Sequence, residues 1–316
     1  ARMGRVGADW VPSGRVRVLI LVNERSGRGR AASLGAAVER ELRTQGAEVL
    51  ALRAAEATLE AIRGWEPRAI VVCGGDGTVH HLMQRCVGKG LERWPVYHAP
   101  TGTENLFARE FGMWPRVAPE EIARRVLRGG SRLIDLGVTG ERVFALMMSV
   151  GFDAAVVERM CAGRTGRISR WSYARPIMRE AIRPSLARVR VRVDGALVVN
   201  GQRGLLVVGN VRQYAARLNP ACDADPSDGA LDVTFMAARS ALEIVRWSAL
   251  CWSRAQGGAS GCVMARGREI EIESLEHEAP VQMDGETAGR LVPGKAGVIR
   301  VAPAAMRVVE VDARRA

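Results

Sequence analysis

The sequence predicts an α/β protein of two domains. Three observations lead there: strands alternate with helices up to about residue 135, short strands between turn-rich loops take over after residue 137, and 316 residues are enough for two cores. The first predicted domain spans residues 14–136 and the second, β-rich one spans 137–302. Residues 303–312 are expected to return to the first.

Taken in order, residues 1–13 read as a lead-in. Residues 16–22 are apolar and β-branched, as in a buried strand. Residues 31–44 have helical spacing and stop before Gly46. Residues 47–52 and 69–73 are the next strands, the latter running into glycines and then a helical stretch to about residue 87. Residues 96–99 and 133–136 complete the alternation. Beyond it, residues 143–150, 187–194, 205–209, 231–236, 269–272 and 298–301 read as strands. One helical stretch, 169–183, interrupts them.

Composition narrows the function classes. With 47% hydrophobic and 25% charged residues, the chain has the balance of a globular protein. It holds no uncharged apolar run of about 18 residues, so no transmembrane helix is expected. Residues 1–10 lack the apolar core of a secretory signal. The six cysteines form no Cys-x-x-Cys, so free thiols in a cytoplasmic protein are expected. The formal charge is +12, and all but two of the 46 basic residues are arginine. Such a chain favours anionic partners.

The strongest motif is Gly74-Gly75-Asp76-Gly77-Thr78, directly after a buried strand and opening a helix. Glycines permit positive φ and let backbone approach a ligand, and a helix start offers unpaired N–H groups to a phosphate. A plain strand–helix turn capped by Asp76 accounts for the same residues. Two further strand ends carry small polar residues, at Asn23 to Arg30 and at Thr101 to Asn105. Ligands of open α/β sheets sit beyond such ends. Neither a Walker motif nor a dinucleotide fingerprint is present.

Six blocks in order resemble the diacylglycerol kinase catalytic family, which includes bacterial lipid kinases and sphingosine kinases, with NAD kinases more distant. They are Asn23 to Gly27, Gly74 to Thr78, Thr101 to Arg109, Gly151-Phe152-Asp153-Ala154, Asp225 to Val233, and Asp284-Gly285-Glu286. The resemblance implies a three-layer nucleotide-binding domain, then a β-sandwich domain, with ATP and Mg²⁺ as cofactors and the site between the two. It places Asn23, Ser26, Gly27, Gly74, Gly75, Gly77, Thr78, Gly102, Thr103, Asn105 and Glu286 around the nucleotide. Asp284 becomes the general base and Asp76 the second catalytic acid. Asp225, Asp228 and the Ala230 carbonyl become a Mg²⁺ loop, and Asp135 another cation-organising acid. Without the resemblance, Asp284-Gly285 reads first as a simple hairpin turn.

Two positions depart from the family. Leu106 stands where an aspartate is usual, and His80-His81 replaces Asn-Glu. Adjacent histidines face apart on a helix, so His81 is expected at its surface or the cleft edge rather than as a ligand.

Nine arginines and one acid, Glu180, lie between Arg159 and Arg190. Arg175, Arg179 and Arg183 recur every four residues, although Pro176 interrupts the pattern. Three readings stay open: a helix lying on an anionic membrane, arginines such as 164, 167 and 170 reaching ATP phosphates, or a solvated helix with its apolar stripe in the core. Nucleic acid is disfavoured, because few aromatics interleave with the arginines. The sequence thus implies an ATP-dependent lipid kinase, cytoplasmic or peripheral on the inner membrane face. A catalytically altered nucleotide- or lipid-binding regulator and a soluble small-molecule kinase are the alternatives. A homodimer is left open.

Overall fold

A computed structural model describes residues 15–162, 174–182 and 184–311. The chain opens with β1 (Arg17–Val22), α1 (Arg30–Thr44), β2 (Glu48–Arg53), α2 (Leu59–Trp65), β3 (Ala69–Gly74), α3 (Asp76–Cys86) and β4 (Val96–Pro100). These four strands are parallel in the order β2-β1-β3-β4. Every residue of β3 and β4 is buried, the near-continuous apolar run of strands covered on both faces. Next come α4 (Leu106–Glu110) and α5 (Pro119–Arg128), which starts on Pro119, where a missing N–H costs nothing.

After β5 (Ser131–Thr139) and β6 (Arg142–Phe144) come β7 (Met147–Val150), α6 (Phe152–Ala162), α7 (Ala174–Ile182), β8 (Ala187–Val193), β9 (Ala196–Gly209) and β10 (Leu231–Ala237). Then follow α8 (Ala241–Ser253), β11 (Cys262–Gly267), β12 (Glu269–Ser274), β13 (Ala279–Met283), β14 (Glu286–Leu291) and β15 (Gly297–Val309). Pairing among β7 to β14 is antiparallel. β15 pairs with β12 at one end, with β5 along its length, and with β4 where Val308 faces Val96, so one sheet runs through both regions. One core cluster fills the parallel region and a second lies among the antiparallel strands. Among the described residues no two cysteines form a disulfide.

The predicted fold class holds, and individual elements differ from the expectation. The single strand expected over 143–150 is two, because the N–H groups of Ala145 and Leu146 turn aside to the Asp284 carboxylate. Helices α6 and α8 interrupt the β-rich half; both are apolar on several faces, which hides a helical stripe. Of the basic stretch, residues 163–173 and 183 lie outside the described residues, and with them Arg164, Arg167, Arg170 and Arg183. Three of its remaining arginines are spent internally. Arg159 Nε donates to the fully buried Glu180 at 2.7 Å, Arg188 pairs with Glu276 at 3.2 Å, and Arg190 with Glu273 at 2.6 Å.

One buried acid makes the fold pH-sensitive. Burial in β10, then the nearby Asp223 charge, push the Asp232 carboxyl up to about 6, from an ordinary 3.8. The folded state therefore keeps a proton that the unfolded chain releases. That contribution is full below pH 3.8 and lost as pH rises through 6. Asp232→Asn should accordingly raise Tm at pH 7 by about 2–4 °C. Melts at pH 4 should show no such gain.

Candidate active site

The glycine turn is built by close approach. Gly74 ends β3, Gly75 is extended (φ −102°), and α3 starts at Asp76. None of Gly74, Gly75 and Gly77 has a positive φ, which corrects the sequence-based reason for these glycines. A Cβ on Gly74 would collide with the Thr78 side chain. On Gly75 it would stand 3.3 Å from Gly102 Cα, and on Gly77 2.9 Å from Glu286 Oε1.

Two other strand ends lock onto this turn. Asn23, after β1, donates from Nδ2 to Thr78 Oγ1 at 3.0 Å. Thr101, after β4, donates from Oγ1 to Ser26 Oγ at 2.8 Å, and its N–H to the Gly74 carbonyl at 2.8 Å. Gly27 has φ 62° and lies so close to Thr101 that a Cβ would stand 2.6 Å from its carbonyl oxygen. The Asn105 amide closes the third loop, accepting from Gly102 N–H and donating to its carbonyl, both at 3.0 Å. Asn23, Ser26, Gly27, Gly74, Gly75, Gly77, Thr78, Gly102 and Asn105 thus gather at one sheet edge, with Thr103 in the same turn. Sequence reasoning missed His98. Its fully buried ring donates from Nε2 to the Gly74 carbonyl at 3.0 Å, and burial lowers its pKa, which keeps it neutral.

The acids are held by backbone. Asp76 accepts from Leu106 N–H and Phe107 N–H, both at 3.0 Å, so a carboxylate 30 residues away serves the start of α4. The Leu106 side chain is buried in the core. Asp284, at φ 50° in the β13–β14 turn, accepts from Leu146 and Met147 N–H on Oδ1 (2.8 and 3.1 Å) and from Ala145 N–H on Oδ2 (2.9 Å). His80, on α3, contacts Oδ2 from Nδ1 at 3.4 Å. The Gln84 amide nitrogen fixes that imidazole: one of its protons goes to the Val143 carbonyl (2.7 Å) and the other to His80 Nε2 (3.1 Å). His80 Nε2 is therefore the acceptor, and Nδ1–H points at Asp284. His81 is exposed. The β13–β14 turn thus brings Asp284 and Glu286 onto the first turns of α3.

The expected cation residues are arranged differently. Asp135 accepts from Gly229 N–H (2.7 Å) and Ala304 N–H (2.8 Å), which ties β5 to the 225–230 loop and to β15. Asp225 caps its own turn through Ser227 N–H (3.0 Å) and Oγ (2.7 Å), bonds that lower its pKa. Asp228 accepts from Ala230 N–H at 3.0 Å and pairs with Arg266. Among the described residues no three His, Cys, Asp or Glu side chains cluster as a metal site. Asp225, Asp228 and the Ala230 carbonyl stay within one loop, with Arg266 as the basic partner of Asp228.

Beside Asp284 lies a polar group that no sequence spacing suggests. Ser149 Oγ donates to Asp153 Oδ2 (2.7 Å), and Gln282 Nε2 donates to Ser149 Oγ (2.9 Å) and to Asp153 Oδ2 (3.1 Å). Burial, and then Asp153, push the Tyr214 hydroxyl well above its usual range. Only the block around Asp153 hinted at this cluster.

Comparison with known proteins decides the family. Residues 17–139 match the diacylglycerol kinase catalytic domain, and residues 146–310 match the YegS C-terminal NAD kinase beta sandwich-like domain. The chain belongs to this diacylglycerol kinase-like family. That membership supports a kinase, and a lipid kinase at the level of the family. It is 29% identical over 308 residues to a diacylglycerol kinase of Mycobacterium tuberculosis, covering 93% of this chain and 94% of that one. A crystal structure of a diacylglycerol kinase from Bacillus anthracis aligns with a TM-score of 0.68 at 16% identity, over 96% of this chain and 99% of that one. A yeast NADH kinase in complex with NADH aligns at 0.50 and 11% identity, over 95% and 84%. The two solved structures speak to the fold.

Gly102→Ala should force the glycine turn and the third loop apart, because its Cβ would stand 2.8 Å from Gly75 Cα. A cost of about 1–3 kcal/mol is expected in urea unfolding. Asp135→Ala should cost about as much by stranding two N–H groups. Gly88→Ala, with nothing within 4 Å, is the control for φ strain alone.

Proposed function

We propose that the protein is an ATP-dependent kinase of a lipid hydroxyl, diacylglycerol or a relative of it. The observation that carries this reading is the seating of Asp284 and Glu286 on the first turns of α3, beside the glycine turn. An acid from the 137–302 region thereby meets the place where three strand ends of the 14–136 region converge. In this reading the first region binds ATP, the second receives the acceptor, and residues 303–312 return to the first.

Phosphoryl transfer is mostly positioning and charge neutralisation. The N–H groups at the start of α3 and the loops closed by Asn105 and Ser26 hold the phosphates. The acceptor hydroxyl oxygen forms the new bond to the γ-phosphorus as the bond to the bridging oxygen breaks. Its proton passes to Asp284. A carboxylate has about four acceptor sites. All four of Asp284's are engaged, three by backbone N–H groups and the fourth by His80 at 3.4 Å, the longest contact, so the acceptor hydroxyl takes the place of His80 on Oδ2 and passes its proton there. Mg²⁺, when bound, would neutralise the charge developing on the phosphate oxygens. Asp76 fits the task of organising it, since each of its oxygens accepts one N–H and keeps a second acceptor site.

A second reading has one observation in its favour. Leu106 is buried and cannot organise a cation, which suits a protein that kept nucleotide binding and lost turnover. Transfer of label from γ-³²P-ATP across a panel of lipids separates the two. Turnover is expected, with at least a hundredfold loss in Asp76→Ala and in Asp284→Asn. A folded protein that binds ATP, labels no lipid, and gains activity on Leu106→Asp would support the regulator instead.

A further inference from the structure

Helix α8 carries two apolar faces, and the fold uses only one. Ile244, Trp247 and Cys251 are buried, the latter two in a cluster with Met236 and Ala238. Leu242 (78% exposed), Val245 (64%) and Trp252 (69%) point outward, with exposed Ala249 between them. At 100° per residue these four fall within an arc of about 80°, on the side away from the core. Scattered exposed apolar residues need no explanation; an aligned stripe on one helix does.

The charges around the stripe are of one sign. Arg239, Arg246 and Arg254 are exposed, and among the described residues none forms an ion pair within 4.0 Å. The one acid of α8, Glu243, is consumed at the helix start. Its carboxylate accepts from Arg239 N–H (2.6 Å), Ser240 N–H (3.1 Å) and Ser240 Oγ (3.2 Å), completing a capping box. The Arg246 guanidinium lies over the Trp247 ring at 4.5 Å. A tryptophan at one end of an apolar stripe flanked by arginines is the composition of a face that sits at the boundary of headgroups and acyl chains.

From this geometry we infer that the outward face of α8 docks the protein on an anionic membrane. A second copy of the chain is the poorer occupant: a twofold contact through this face would bring its arginines together with their own copies. The inference rests on the lipid-kinase reading, and it moves the membrane contact away from the Arg159 to Arg190 stretch. Leu186 belongs both to the cluster beneath α8 and to the wall of a cavity of about 440 Å³ that also takes in Arg188 and Arg290.

Sedimentation with vesicles of 30% phosphatidylserine in phosphatidylcholine tests the assignment. Wild type should bind them at least tenfold more tightly than pure phosphatidylcholine vesicles, and less tightly as salt rises. The triple change Leu242→Ser, Val245→Ser, Trp252→Ser should lower binding at least tenfold with Tm unchanged. Trp252→Phe should keep binding while losing most of the tryptophan quenching by brominated lipid. Retained binding in the triple variant would overturn the proposal, and so would a wild-type dimer that the same changes dissociate. A short-chain, monomeric diacylglycerol separates this idea from the kinase reading. If wild type phosphorylates it yet ignores anionic vesicles, only the docking face is wrong. If it binds vesicles through α8 and phosphorylates no lipid, only the kinase reading fails.

Discussion

Three consecutive backbone N–H groups, those of Ala145, Leu146 and Met147, converge on the Asp284 carboxylate. Hydrogen bonds to a charged acceptor contribute about 1.5–3 kcal/mol each. This contact ends β6, starts β7, and pins the β13–β14 turn on which Glu286 also rides. Through His80 it reaches α3 and so the glycine turn. The geometry of the candidate site depends on it, because Asp284 and Glu286, which the second region brings to the start of α3, are placed by this anchor.

The same device recurs near the site. Asp76 holds the start of α4, and Asp135 joins β5 to the 225–230 loop and to the β15 irregularity at Ala304. A buried carboxylate without partners would be costly; Asp135 and Asp284 are buried and Asp76 half-buried, and each is satisfied by N–H groups from distant segments. The acids that look catalytic in the sequence are thus also the joints of the fold. Asn210 serves the same region, donating to the Asp135 and Ala145 carbonyls at 2.8 Å each.

Much of this was legible in the sequence. β1, α1, β3 and α3 follow from apolar runs and helical spacing, and the three small-residue loops mark the strand ends that converge. Local signals could not supply the rest. The break in the 143–150 strand depends on a carboxylate 138 residues away in the chain. The glycines of the turn serve loop-to-loop approach, which no single-strand argument reveals. His80 looked like a departure from a pattern, and its role depends on Gln84, one turn further along the same helix. The arginine-rich stretch looked like a free positive surface, yet Arg159 is bound to the buried Glu180. α8 escaped notice because a helix apolar on two faces has no clear stripe, although Ser240 and Glu243 have the spacing of a capping box.

The central claim is that three strand ends, locked together by side chains and by Asp76, form the nucleotide site under the reach of Asp284. Hydrogen exchange with and without ATP and Mg²⁺ tests it most directly. The account predicts slowed exchange in peptides covering residues 23–30, 74–80 and 101–107, with a smaller effect at 284–286. Protection confined to other segments, with these four unchanged while ATP is bound, would contradict it.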